Sequence, residues 1–244
     1  MKCLILAAGY ATRLYPLTEN FPKPLLEVQG KTILDWLIDD MDRTGEIDEY
    51  VVISNHKFSR HFEAWAKKKS QKITVVDDGT STNETRLGAV CDIQFAIEKL
   101  QLDDSMIVLA GDNLLDFSLS TFIKYAVRKN ASCIMRYYES DFSKLLKCGV
   151  VEIDENDKIL SMTEKSPTPK TNWCCPPFYF YTKKDTKLVK KGIESGCGTD
   201  APGSFIAWLS TVSDVYAMEM PGKRYDIGNL ESYEKVKKEY IPVC

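Results

Sequence analysis

The sequence predicts an α/β fold three layers deep (α/β/α), in which a mostly parallel central sheet is covered by helices on both faces. Three observations lead there. The first half alternates short, uninterrupted apolar runs with longer stretches that are apolar at helical spacing. The runs lack the apolar–polar alternation of a half-exposed strand, so they suit strands buried on both faces. With 244 residues, 44% of them hydrophobic, the protein can bury a sizeable core without disulfides or metals.

Taken in order, Lys2 to Ala7 is the first such strand and Gly9 ends it. Thr32 to Arg43 puts Ile33, Leu34, Leu37, Ile38 and Met41 on one helical face, with Gly45 as the stop. Tyr50 to Ser54 is a strand. Ser59 to Lys69 reads as a helix with Phe62, Trp65 and Ala66 inward and a solvated lysine end. Ile73 to Val76 is a strand, Asp77 to Asn83 a turn-rich loop, and Leu87 to Leu100 a helix. Met106 to Ala110 is a buried strand running into Gly111-Asp112-Asn113, followed by a helix over Leu119 to Arg128. The texture then turns strand-like, over Ala131 to Tyr138, Gly149 to Ile153, Ile159 to Glu164 and Phe178 to Tyr181, before a last helix from Leu230 to Glu239. No internal repeat or low-complexity linker interrupts the sequence, so 1–244 reads as one domain whose second half extends the same sheet. In such sheets ligands bind beyond the carboxyl ends of the strands, near a topological switch point. The loop after the first strand and Gly111-Asp112-Asn113 are the segments so placed.

Charge and composition narrow the function classes. Lys and Arg number 32 against 35 Asp and Glu, a net charge of -3, which excludes the broad basic surface of a nucleic-acid or membrane-surface binder. No run approaches the roughly 18 apolar residues of a membrane span. The eight cysteines form no Cys-x-x-Cys pair and the only histidines are His56 and His61, so no zinc site is expected. The thiols read as reduced, in a cytoplasmic protein.

The stretch from Leu6 to Leu26 joins a small-residue turn (Ala7-Ala8-Gly9) to Arg13 and Lys23 in one loop at the ligand-binding edge. Small residues let backbone N–H groups approach phosphate oxygens, and the two cations add positive charge, which suggests polyphosphate binding. The glycine and lysine spacings fit neither a Walker A loop nor a dinucleotide fingerprint. Read by charge alone, Gly9 is equally well a strand-end turn and Arg13 and Lys23 surface charges. Asp112, at the end of a buried strand, and Asp226 could supply carboxylates to magnesium, which takes oxygen ligands from one or two carboxylates plus substrate phosphates. Taken alone, each is more readily a turn former or helix cap than a ligand.

The whole string resembles the signature of the sugar-phosphate nucleotidyltransferases, approximately L-A-G-G-x-G-T-R-L-x-P-L-T, then P-K-P-L-L-x-V-x-G-K-P-x-L, and continues here through Glu27 to Leu34. That family's central Gly-Asp motif and its late D-x-G-T-P-E-x-Y motif follow in order as Gly111-Asp112 and Asp226-Ile227-Gly228-Asn229-Leu230-Glu231-Ser232-Tyr233. The resemblance implies a Rossmann-like fold of the nucleotide-diphospho-sugar transferase type, with a nucleotide-binding half over about 1–130 and an acceptor half over about 131–244. It implies that Leu6, Ala7, Ala8 and Gly9 contact the nucleotide, that Arg13 and Lys23 stabilise the pentavalent transition state and leaving pyrophosphate, and that Asp112 and Asp226 hold Mg2+. By the same resemblance Asn83 and Gly88 meet the base, with the alternative that Asn83 caps the following helix. Gly149, Glu164 and Lys165 meet the acceptor.

The departures are specific. Ala8 and Ala11 stand where the family has glycine, and alanine at 11 is expected to exclude a conformation that only glycine adopts. Thr32 replaces proline, Asn229-Leu230 replace Thr-Pro, and Cys175 and Pro177 replace the Asn and Gly before the aromatic strand. Asp200-Ala201-Pro202-Gly203 is a further candidate for the acceptor pocket.

The implied partners are a nucleoside triphosphate and a sugar 1-phosphate, with no nucleic acid or membrane; homo-oligomerisation is left open. A cytidylyltransferase acting on another small phosphate such as phosphocholine stays in view, with Trp173, Phe178 and Tyr179 as a conceivable aromatic cage. A non-catalytic regulatory subunit is disfavoured because Arg13, Lys23, Asp112 and Asp226 are all present. A glycosyltransferase would be expected to carry Asp-x-Asp in place of Gly-Asp-Asn.

Overall fold

The computed structural model describes residues 1–242, and Cys244 among the cysteines lies outside them. The protein forms two compact units that alternate along the sequence: the first comprises 1–86, 110–120 and 221–242, the second 87–109 and 121–220. The sequence suggests a divide near residue 130. The units interleave instead, because segments after residues 109 and 220 return to the first.

In sequence order, residues 1–86 give β1 (Lys2–Leu6), the small antiparallel pair β2 (Glu27–Val28) and β3 (Lys31–Thr32), α1 (Ile33–Asp42), β4 (Glu49–Ser54), α2 (Ser59–Ala66) and β5 (Ile73–Asp77). The second unit opens with α3 (Ala89–Leu100) and β6 (Met106–Ala110), after which β7 (Asn113–Leu115) belongs to the first. Then follow α4 (Ser120–Lys129), β8 (Ser132–Tyr138), α5 (Phe142–Leu145), β9 (Gly149–Ile153), β10 (Ile159–Glu164), β11 (Trp173–Cys175) and β12 (Phe178–Tyr181). The short helices α6 (Lys183–Thr186), α7 (Val189–Glu194) and α8 (Gly203–Leu209) lead to β13 (Val215–Glu219). After these, β14 (Arg224–Asp226) and α9 (Leu230–Glu239) return to the first unit.

In the first unit β1, β4 and β5 pair in parallel, and Cys3, Leu4 and Ile5 are buried, as an uninterrupted apolar run requires. Helix α1 is capped by Thr32, whose hydroxyl accepts from Asp35 N, and buries Ile33, Leu34, Leu37, Ile38 and Met41. Helix α9 starts at a capping box in which Asn229 and Ser232 satisfy each other's backbone donors. Its Tyr233 hydroxyl donates to Glu27 O and the Tyr240 hydroxyl to Leu115 O. One core cluster joins Leu14, Leu26, Val28, Ile33, Leu114, Ile227, Tyr233, Val236 and Tyr240, so the loop after β1, the small hairpin, β7 and the segment after β14 share one packed support.

In the second unit β8 lies between β11 and β12, β12 also pairs with β6, and β9 joins β10 to β11; all of these contacts are antiparallel. Only β13 is parallel to its neighbour, β8. The expected α/β class is realised, with the parallel character concentrated in the first unit. Buried Asp185 accepts from the hydroxyls of Ser132, Thr182 and Ser213, a carboxylate fully answered by its surroundings. No helix among the described residues is long and apolar enough to cross a membrane.

Candidate active site

Beyond Leu6 the loop leaves the sheet while staying pinned to it. Ala7 N donates to Ile53 O at 2.9 Å, and the side chain of fully buried Asn55 donates to Ala8 O at 2.9 Å. Tyr10 packs against the Phe58 ring at 6.2 Å. Ala11 then adopts φ 47°, ψ 42°. The expectation that alanine would exclude the glycine-type conformation is therefore wrong. Ala11 O accepts from Leu14 N at 2.9 Å and from the Thr18 hydroxyl at 2.8 Å, and these bonds hold the strained residue in place. The left-handed residue turns the backbone into a 3₁₀ turn over Thr12–Leu14 that presents exposed Arg13. Among the described residues Arg13 forms no ion pair.

A second 3₁₀ turn, Lys23–Leu25, directs the Lys23 side chain inward, where only 9% of it is exposed. A buried ammonium requires a counter-charge. It finds one in Asp112, whose Oδ2 lies 2.7 Å from Lys23 Nζ. Burial raises the Asp112 carboxyl's pKa, but the charge and hydrogen bond of Lys23, with the charge of Arg224, outweigh it and hold the group below the usual carboxylate range. These groups face a cavity of about 270 Å³ lined by Leu6, Ala7, Gly9, Ala11, Arg13, Lys23, Asp112 and Gly228, among others. Of the residues expected there, Ala8 lies off its wall.

Asp226 comes from far along the sequence. In the β7–β14 pair it stands opposite Asn113, so the register brings it next to Asp112. Its own side chain is 62% exposed and off the cavity wall, while Ile227 and Gly228 immediately after it line the cavity. Sequence reasoning misses Arg224. It precedes Asp226 by two residues on β14, hence on the same face, and its Nη1 donates to Asn113 Oδ1 at 2.7 Å. That spacing is the signal the sequence offers.

Asn83 and Gly88 fall in different units. Asn83 begins a 3₁₀ turn capped by Thr82, and the N-cap of α3 is Gly88, so Asn83 is not the helix cap. Gly88 has φ +93°, and a Cβ there would sit 2.6 Å from Thr199 O, so close packing already explains this glycine. The N–H groups of Ala89 and Val90 donate to Asp200 O and Thr199 O.

Within the second unit, the β9–β10 register sets Glu164 opposite Gly149. A Cβ on Gly149 would meet Glu164 Oε1 at 2.8 Å, and one on Gly203 would overlap the same oxygen. The carboxyl of Glu164 is thus seated between two glycines. Among the described residues no hydrogen bond or ion pair holds it, and burial raises its pKa despite the opposing charge of Lys165. Lys165, at φ 48°, places its Nζ 3.4 Å from Asp200 Oδ2. Gly149, Glu164 and Lys165 are together, and the 200–203 segment joins them as the sequence suggests. The aromatic cage does not form: Phe178 and Tyr179 are core residues, and Arg136 lies 4.7 Å over the Trp173 ring. Cys174 is fully buried with Leu145 and Val150.

A sequence profile described as "Nucleotidyl transferase" matches residues 2–242. The protein belongs to the nucleotidyl transferase family. It is 25% identical to the glucose-1-phosphate adenylyltransferase of Fervidobacterium nodosum over 98% of this chain and 60% of the relative. It is 28% identical to the bifunctional protein GlmU of Methanocaldococcus jannaschii over 93% of this chain and 51% of the relative. The chain thus spans between about half and three fifths of the length of these curated nucleotidyl transferase relatives. Its fold is that of a UDP-glucose pyrophosphorylase solved with UDP-glucose, at a TM-score of 0.83 and 20% identity over 98% of this chain and 97% of that one.

Proposed function

We propose that this nucleotidyl transferase moves a nucleoside monophosphate from a nucleoside triphosphate to a sugar 1-phosphate in the cytoplasm, giving a nucleoside-diphosphate sugar and pyrophosphate. The observation that carries the reading is the cavity beyond β1, where exposed Arg13 and the Lys23–Asp112 pair face one space lined by a small-residue loop. The name of the Fervidobacterium nodosum relative, a glucose-1-phosphate adenylyltransferase, supports the acceptor class.

The donor set tests the metal. No cluster of three or more His, Cys, Asp or Glu among the described residues could cage an ion. Two carboxylates in adjacent register, one already ionised against Lys23, suit instead an oxygen-seeking cation that completes its shell with phosphate oxygens and water, as Mg2+ does. Asp112 and Asp226 would hold it, and when bound it supplies charge neutralisation to the triphosphate.

The protein's own residues do the rest. The acceptor phosphate is already anionic, so no general base is required and catalysis rests on positioning and charge. Leu6, Ala7, Ala8 and Gly9 offer backbone to the nucleotide. Lys23 leaves Asp112 for the phosphates as they arrive, and with Arg13 balances the charge that develops on the transferred and leaving groups. Asn83 and Gly88 are the residues proposed for the base. In the second unit Glu164 accepts from sugar hydroxyls, Gly149 contributes backbone, and Lys165 exchanges Asp200 for the acceptor phosphate. A pyrophosphate-release screen of the common nucleoside triphosphates against sugar 1-phosphates and phosphocholine tests this reading. Turnover with a sugar 1-phosphate supports it; no turnover with any pair in the presence of magnesium puts a non-catalytic regulatory role in its place.

A further inference from the structure

Arg224 has no role in the scheme above, yet it ends a series of contacts that begins at the cavity. Lys23 Nζ holds Asp112 Oδ2 at 2.7 Å; Asn113 Nδ2 donates to Asp112 Oδ1 at 2.9 Å; Arg224 Nη1 donates to Asn113 Oδ1 at 2.7 Å. Both oxygens of Asp112 are therefore engaged, one by a cation and one by an amide. Asn113 is 1% exposed, so water does not compete for that amide. A primary amide has one accepting and one donating end, a guanidinium only donates, and an ionised carboxylate only accepts. With Arg224 on one side and Asp112 on the other, a single orientation of Asn113 satisfies both neighbours. The flipped amide would set N–H against N–H and oxygen against oxygen. The strands involved are three residues each, too short to fix side chains by pairing alone. Arg224 also lies 3.9 Å from Asp226 Oδ1, so the same guanidinium touches the local field of both aspartates.

We propose that Arg224 is a positioning residue for nucleotidyl transfer: by locking the Asn113 amide, it fixes the Asp112 carboxylate in the orientation it presents to the cavity. The inference rests on the reading of Asp112 and Asp226 as the metal carboxylates. A lysine at 224 keeps the charge but lacks the planar fork, so it replaces the arginine only in part.

Three variants test it: Asn113→Leu, Arg224→Met and the double variant, with Arg224→Lys as the milder change at 224. Each single substitution should lower kcat by about ten- to a hundredfold, leaving KM for the nucleoside triphosphate within about threefold, as expected for a misplaced rather than missing group. Because the two residues act through one series of contacts, the double variant should be no slower than the slower single one. Arg224→Lys should recover part of the loss. A second readout needs no turnover: Mn2+ binding to the protein saturated with a nucleoside triphosphate in the absence of acceptor, followed by electron paramagnetic resonance. Asn113→Leu leaves the charge unchanged and should weaken that binding by about tenfold, the effect of losing an outer-shell partner. Losses in kcat that multiply in the double variant, or Mn2+ binding by Asn113→Leu equal to that of the wild type, overturn the proposal. If Arg224→Met does not fold, as its thermal midpoint will show, Arg224→Lys takes its place in the cycle. Asp112→Asn separates the two levels. An active Asp112→Asn enzyme defeats the metal-carboxylate reading itself, whereas an inactive one beside fully active Asn113→Leu and Arg224→Met defeats only the role of Arg224.

Discussion

The cavity beyond β1 and the Glu164 cluster prepare their carboxylates in opposite ways. Asp112 has both oxygens occupied, by Lys23 and Asn113, and is held ionised. Glu164 is held by shape, seated between Gly149 and Gly203, without a hydrogen-bond partner among the described residues and with its pKa raised. The difference suits the two kinds of ligand proposed for these regions. A site for phosphates needs fixed charges that can change partners, whereas a site for neutral hydroxyls needs an acceptor that nothing else occupies.

The contrast breaks most severely at Asp112. Asp112→Asn should lower pyrophosphate release by at least about a thousandfold, the scale of removing a principal electrostatic group from a transition state. Near-normal release would sink the assignment. A smaller loss, of about a hundredfold in kcat, is expected for Arg13→Ala, which leaves no buried partner behind; isothermal titration of the acceptor should show its binding unchanged. Glu164→Gln should act on the other side of the comparison, raising KM for the acceptor by about tenfold while leaving triphosphate binding intact, since each hydrogen bond to a charged group is worth roughly 1.5–3 kcal/mol. A change confined to the nucleotide would erase the distinction between the two regions.

The raised pKa of Glu164 gives that region a pH signature. If the ionised form accepts from the sugar, kcat/KM for the acceptor is full above the folded pKa and falls as pH drops through it, at a pH above the ordinary glutamate value of about 4.3. Stability runs the other way: between the unfolded and the raised folded pKa the native state binds more protons, so stability decreases as pH rises through that window. Glu164→Gln should abolish both trends, which pH profiles of kcat/KM and of the thermal midpoint would show. The smallest effect expected is at Ala11. Ala11→Gly removes a left-handed alanine and, offset by the extra freedom of glycine when unfolded, should stabilise the protein by no more than about 1 kcal/mol, measured by urea denaturation.

Much of the first region is legible in the sequence because its signals are local. The apolar run of β1, the small-residue turn, Thr32 before α1 and Asn229 before α9 each act within a few residues. The Lys23–Asp112 pair spans 89 residues; the carboxyl-end rule puts both segments at the ligand-binding edge, and the resemblance singles out these two side chains. Ala11 shows the limit of a local rule, since its neighbours' hydrogen bonds override the preference of alanine. The second region is harder to read. Gly203 looks like an ordinary helix start until β10 brings Glu164 against it. Helix α8 is missed because Gly-Ser-Phe-Ile-Ala-Trp-Leu has no polar face to reveal a period. Helix α6 has a readable cap in Thr182, whose hydroxyl accepts from Asp185 N, but its four residues are too few for periodicity. Strand β13 carries an alternating pattern, with Val215 and Ala217 buried, and is legible in principle.

The interleaving of the two units bears on how the protein is made. The first unit takes β14 and α9 from residues 221–242, so a ribosome has exposed β1, the loop after it and Asp112 long before Asp226 or Tyr233 exists. Until those later segments emerge, Leu14, Val28 and Leu114 lack the partners that bury them, and the nascent polypeptide must carry an open apolar face while the whole second unit is being synthesised. A nascent polypeptide arrested near residue 220 should therefore be a strong client for chaperones, and emergence of the segment carrying Ile227 and Gly228 is the event that completes the cavity wall.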